Sequence, residues 1–167
     1  MINTFYLAGL ISHNLIMAIW TNEDNVQTKK GSEEDMPQFN LYPCVAFPSN
    51  DNSRNQRWIT FKRLSTTPSY SKDGLVCDRV EFEINVCAGS YSETCVYASY
   101  IRNHFCQGVV LRDTDKVEEA NTFLKHCRLE DASEDFEQDV YIQTLTFSGE
   151  VYYTDYTEKK QATTTEE

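Results

Sequence analysis

Strict alternation of polar and apolar side chains runs from Arg79 to Val86. Val80, Phe82, Ile84 and Val86 share one parity, while Arg79, Glu81, Glu83 and Asn85 share the other. A period of two means a strand with one buried face. The alternation stops at Ala88-Gly89-Ser90. Ser90 stands three residues before Glu93. At that spacing a serine oxygen accepts from an early helix N–H and the glutamate reaches back, so a capping box is expected. Beyond it Val96 or Tyr97, Ile101 and Phe105 recur at helical spacing. The segment Cys77–Phe105 is therefore predicted to be a half-buried strand feeding an amphipathic helix, with the remaining chain packed around it.

The same patterns predict the other elements. Phe5, Tyr6, Leu10, Ile11, Leu15, Ala18 and Ile19 fall mostly on one helical face, so a first helix is expected over Thr4–Trp20. Thr21–Gln38 is polar and charge-rich and reads as a mobile loop. Leu41–Phe47 reads as a short strand, with Pro43 placing it at a strand start or an edge. Pro48–Arg57 is a turn cluster, and Trp58–Leu64 alternates as a second strand. Ser65–Val76 is expected as a mobile loop with Asp73-Gly74 as its turn. After the second helix come a short strand at Val109–Leu111, an acidic loop at Asp113–Glu119 and a strand at Ala120–Glu130. A further acidic turn region, Asp131–Asp139, leads to the longest strand, Val140–Tyr153. There Tyr141, Leu145, Phe147, Val151 and Tyr153 share a parity, and Gly149 marks a bulge or a close approach.

This order predicts an α+β fold: an antiparallel sheet of four to five strands packed against two helices, in the order α-β-β-β-α-β-β. The helices are expected to cover the Val80/Phe82/Ile84/Val86 face. Residues 1–153 form a single domain in this reading, and 154–167 an acidic tail without a core to join.

Composition narrows the function. Apolar residues make up 40% of the chain, with ten Tyr and nine Phe, which is globular usage. A net charge of −11 disfavours general affinity for nucleic acid, because such a surface repels phosphate. No apolar run is long enough to span a bilayer, so no membrane partner is expected. The start of the chain lacks a basic region, and His13 and Asn14 interrupt its apolar run, which argues against a secretory signal. Cys44, Cys77, Cys87, Cys95, Cys106 and Cys127 form no C-x-x-C pair. They read as free thiols in a reducing cytoplasm, although His104-x-Cys106 and His126-Cys127 have the look of metal-ligand fragments.

No phosphate-loop, dinucleotide, nucleophile-elbow or H-E-x-x-H motif is present. Glu81 and Glu83 share a strand face with Arg79. Two carboxylates beside a guanidinium would suit acid–base work or a divalent cation, but equally a solvated or intersubunit face. His13, His104 and His126 are scattered, and His104 near a helix end suits the helix dipole. No catalytic residue, metal ligand or cofactor site is expected. The residues themselves leave open a pocket-forming regulatory domain, in which the aromatic side chains line a small-molecule site, and a small hydrolase built on Glu81 and Glu83.

One series of segments is more specific. Leu41-Tyr42-Pro43-Cys44-Val45 opens it, followed by the strand Trp58–Leu64 running on through Ser65-Thr66-Thr67-Pro68-Ser69-Tyr70. Then come the Asp73-Gly74 turn, the strand Arg79–Val86, Gly89-Ser90-Tyr91-Ser92-Glu93-Thr94 and the last strand through Val140–Val151. In order and spacing this series resembles the phage tail completion family, the tail terminator or head–tail joining proteins. The resemblance implies a structural protein, not an enzyme. It implies a homo-oligomeric ring of six- or twelve-fold symmetry at the neck of a bacteriophage virion, assembled in the host cytoplasm. Its partners would be further copies of itself and the tail tube or head connector proteins. DNA would pass through the lumen without specific binding. Arg79, Glu81, Glu83 and Asn85, with Tyr70, Lys72 and Asp73 near the turn, are the expected interface residues.

Overall fold

The computed structural model describes residues 4–26, 40–43, 57–72 and 74–153. Their elements are α1 (Thr4–Val26), β1 (Asn40–Pro43), β2 (Trp58–Ser71), β3 (Gly74–Ala88), α2 (Tyr91–Phe105), β4 (Leu111–Arg112), β5 (Thr122–Glu137) and β6 (Val140–Tyr153). The strands form one six-stranded sheet in the order β1-β2-β3-β6-β5-β4. The α+β class is the one expected, but the sheet exceeds four to five strands, and the short strand expected at Val109–Leu111, absent from the α-β-β-β-α-β-β order, forms as β4 at Leu111–Arg112. Nor is it wholly antiparallel, since β1 runs parallel to β2, from Asn40 opposite Trp58 to Pro43 opposite Phe61. A period of two reports which face a residue is on. It carries no information about strand direction, which depends on how the chain returns.

Both helices lie on the sheet face predicted. Val80, Phe82, Ile84 and Val86 are buried with Leu10, Ile11 and Leu15 of α1 and Ile101 and Phe105 of α2. Phe82, Phe105 and Phe147 form the centre, with ring centroids 5.7, 5.4 and 5.2 Å apart pairwise. Along β6 the parity of Leu145, Phe147 and Val151 is buried as expected, whereas Tyr141 and Tyr153 are only half-buried. The opposite sheet face carries no helix among the described residues. It has a small apolar cluster at one end, Trp58, Cys87 and Val140 with Ile142.

Two regions expected as loops are strands. Ser65–Val76 continues β2 and β3 into a long hairpin, paired to Ser71 opposite Gly74. Asp131–Glu137 continues β5 against β6. Gln138 and Asp139 make the turn, both at positive φ, 50° and 63°, which matches the twist of a two-residue hairpin turn. These arms are exposed on both faces, so no apolar alternation marks them. The first helix runs on from Trp20 to Val26, into the stretch read as loop. Residues 27–38 of that loop, 44–47 of the first strand, 48–56 of the turn cluster and the 154–167 tail lie outside the described residues.

The capping box is not formed. Ser90 occupies the N-cap position with extended backbone, φ −124° and ψ 128°, but makes no side-chain cap. Glu93 instead takes an ion pair from Arg57, just before β2. Gly149 does mark a close approach. β5 bulges between Lys125 and Arg128, with His126 at φ 53°. A Cβ at Gly149 would stand 2.6 Å from Leu124 Cδ1 and 3.3 Å from the Lys125 carbonyl oxygen.

Candidate functional site

The sheet face without a helix among the described residues gathers most of the expected interface residues. Alternation along β3 sends Arg79, Glu81, Glu83 and Asn85 outward, opposite the helices. Asn85 is the hub of its row. Its amide donates to Thr60 Oγ1 at 3.2 Å and to Glu83 Oε1 at 2.9 Å, and its carbonyl accepts from Thr144 Oγ1 at 2.7 Å. Those contacts join β2, β3 and β6 side by side. Lys62 Nζ lies 3.0 Å from Glu83 Oε1, and Ser65 Oγ donates to Glu81 Oε2 at 3.1 Å.

Beyond this row the face dips into a groove of about 600 Å³, lined among others by Arg79, Glu81, His126, Arg128, Glu130 and Glu150. The bulge in β5 places His126 and Arg128 there. Their role was not legible in the sequence, because a bulge reverses the parity on which face assignments depend. His126 Nδ1 is 2.9 Å from Glu150 Oε2, and Tyr152 donates to the same oxygen at 3.1 Å. Arg128 Nε donates to Glu130 Oε1 at 2.5 Å and to Ser148 Oγ at 3.2 Å. Glu130 also accepts from the Ser148 hydroxyl.

The electrostatics follow from these partners. The Glu130 carboxyl is held below its ordinary value by the Ser148 hydroxyl and then Arg128. Glu150 is lowered by His126 and then Tyr152. A carboxyl serving as general acid near neutrality needs a shift the other way. The groove is a balanced array of ion pairs and hydrogen bonds, suited to recognising a polar surface.

Tyr70 and Lys72 are brought to a different place, the exposed tip of the β2–β3 hairpin, away from the row centred on Asn85. Tyr70 is 71% exposed there. Asp73 lies outside the described residues. At the opposite end of the sheet Tyr91, Glu134, Phe136 and Tyr141 line a smaller hollow of about 330 Å³, where Tyr91 donates to both Glu134 oxygens at 3.1 Å.

Each histidine has its own polar partner. His104 meets Asn14, His13 meets Asp115 and His126 meets Glu150. Cys77, Cys87 and Cys127 are buried free thiols, Cys95 is half-buried and Cys106 is exposed, while Cys44 lies outside the described residues. Burial pushes the Cys87 thiol up to about 12, and burial with the neighbouring Cys106 does the same for Cys127. Such thiols pack as small apolar groups and are poor nucleophiles or ligands. No group of three or more His, Cys, Asp or Glu side chains among the described residues has the geometry to hold a metal ion.

No protein-family model matches the chain, and no curated protein sequence matches it. Solved structures align with it over most of its length. One is a chain from the virion of a native gene transfer agent particle, at 12% identity and TM-score 0.49, covering 80% of this chain and 92% of that one. A second aligns at 12% identity and TM-score 0.46 over 85% of this chain and 96% of its own. At these identities and scores neither likeness carries a function over to this chain.

Proposed function

We propose that this protein is a virion structural subunit of the tail completion or tail terminator kind, forming a ring at the head–tail junction of a bacteriophage. The observation that carries this reading is the ordered series of segments from Leu41 to Val151. Within the described residues those segments lie on β1, β2, β3, the start of α2 and β6, and the four strands are neighbours in one sheet. Two further features support it. One polar, ion-paired sheet face carries no helix among the described residues, which suits contact with neighbouring virion proteins. The net charge of −11 suits a passage through which a duplex must slide without being held.

Negative-stain imaging together with native mass spectrometry of the purified protein tests the reading. Closed rings with a central opening wide enough for duplex DNA are expected. A protein that stays monomeric at every attainable concentration, and adds to neither tails nor heads, overturns it.

A further inference from the structure

Two long stretches of sheet edge are unpaired among the described residues. β1 pairs with β2 from Trp58 to Phe61, and no other strand among the described residues pairs with the outer edge of β2 from Lys62 to Tyr70. β4 covers β5 only at Phe123 and Leu124, which leaves the β5 edge open from Arg128 to Glu137. Open edges present rows of unpaired N–H and C=O groups to any passing strand. The two rows differ in charge. Residues 62–72 carry three basic side chains, Lys62, Arg63 and Lys72, and no acidic one. Residues 128–137 carry five acidic side chains, Glu130, Asp131, Glu134, Asp135 and Glu137, against the single Arg128. Each edge therefore repels its own kind and attracts the other. Exposed apolar groups stand on both, Leu64 and Tyr70 on β2 and Phe136 on β5.

We propose that copies of this chain join head-to-tail by pairing the Lys62–Tyr70 edge of one with the Arg128–Glu137 edge of the next. This rests on the ring reading and names the surface that builds the ring. Like edges meeting would close a dimer, whereas unlike edges leave one of each free and propagate until a ring closes. The strand directions agree. β2 runs antiparallel to β3, β3 to β6 and β6 to β5, so β2 and β5 run oppositely. Rotation about an axis near the strand direction then brings β5 of one copy antiparallel to β2 of the next.

The offset between the edges also fits closure. Leu145 on β6 is opposite Ala132 at the middle of the open β5 edge, and Ile84 and Phe61 continue that level across β3 and β2. The middle of the open β2 edge, Thr66, is opposite Val80. It lies further along by about four residues of β3, or roughly 14 Å. From β2 of one copy to β2 of the next is four strand spacings, about 19 Å. A stagger of that size tilts the strands by about 36°, in the range of roughly 35–45° that closed sheets require.

Two charge-reversed full-length variants test the pairing. Arg63→Glu with Lys72→Glu makes the β2 edge acidic; Asp131→Lys with Asp135→Lys and Glu137→Lys makes the β5 edge basic. Each alone should be monomeric by native mass spectrometry, with near-wild-type circular dichroism. An equimolar mixture should assemble again, with the two variants alternating. Wild-type rings together with rings from either variant alone, or with a folded mixture that stays monomeric, would overturn the edge pairing and leave the ring reading standing. A wild-type chain that never assembles would overturn both.

Discussion

The Nε2–H of His104, at the end of α2, donates to Oδ1 of Asn14, in the middle of α1, across 2.9 Å. The Asn14 amide is committed elsewhere, to the Leu10 carbonyl at 2.9 Å and the Arg112 carbonyl at 2.7 Å. That leaves its oxygen as the acceptor and fixes which histidine nitrogen carries the proton. One side chain, 4% exposed, thus ties α1 to α2 and to β4. Replacing Asn14 with Ala strands a donor on His104 and frees the Arg112 carbonyl. A loss of about 1–3 kcal/mol in urea unfolding is expected.

The same contact makes stability depend on pH. Burial, then the neighbouring His13, holds His104 below the ordinary 6.5. The unfolded chain therefore takes up the proton first. This contribution is complete above about pH 6.5 and is lost as the pH falls through the lowered folded value. Melting temperature should drop between pH 7.5 and 5.5 in the wild type, and by less in His104→Gln, which keeps a donor but does not titrate in this range.

Phe147 is fully buried against both Phe82 and Phe105. Truncation to Ala removes the middle of the core and should cost about 3–5 kcal/mol. Phe136, 54% exposed on the β5 arm, is the matched control, and its truncation should cost less than about 1 kcal/mol. Comparable losses in chemical denaturation would contradict this packing.

Gly149 is required by the neighbouring bulge. Leu124, whose Cδ1 would meet the new Cβ, is itself fully buried and has little room to turn. Gly149→Ala should destabilise by roughly 1–3 kcal/mol, the usual cost of overpacking. Shortening the obstructing side chain in Leu124→Ala/Gly149→Ala should cost less than the two single changes added together, as a double-mutant cycle would read.

Ser90 fills the cap position without capping. Ser90→Ala should therefore change stability by less than about 0.5 kcal/mol, where a working serine cap is worth about 1 kcal/mol. Thermal melts at neutral pH separate the two values.

Wherever one face of an element is wet and the other dry, the residue order determined the structure. The β3 alternation, the helix from Tyr91 to Phe105, the β6 strand and the special place of Gly149 all follow from that contrast. The exposed arms of β2 and β5 were illegible for the same reason, since both their faces meet water and their pairing is made by backbone groups that every residue carries. Only the tertiary structure decided the parallel placement of β1, the turn of Glu93 towards Arg57 and the groove built by the β5 bulge. Each depends on which distant segment comes alongside. A side chain with two available partners takes the one that the whole packing brings within reach.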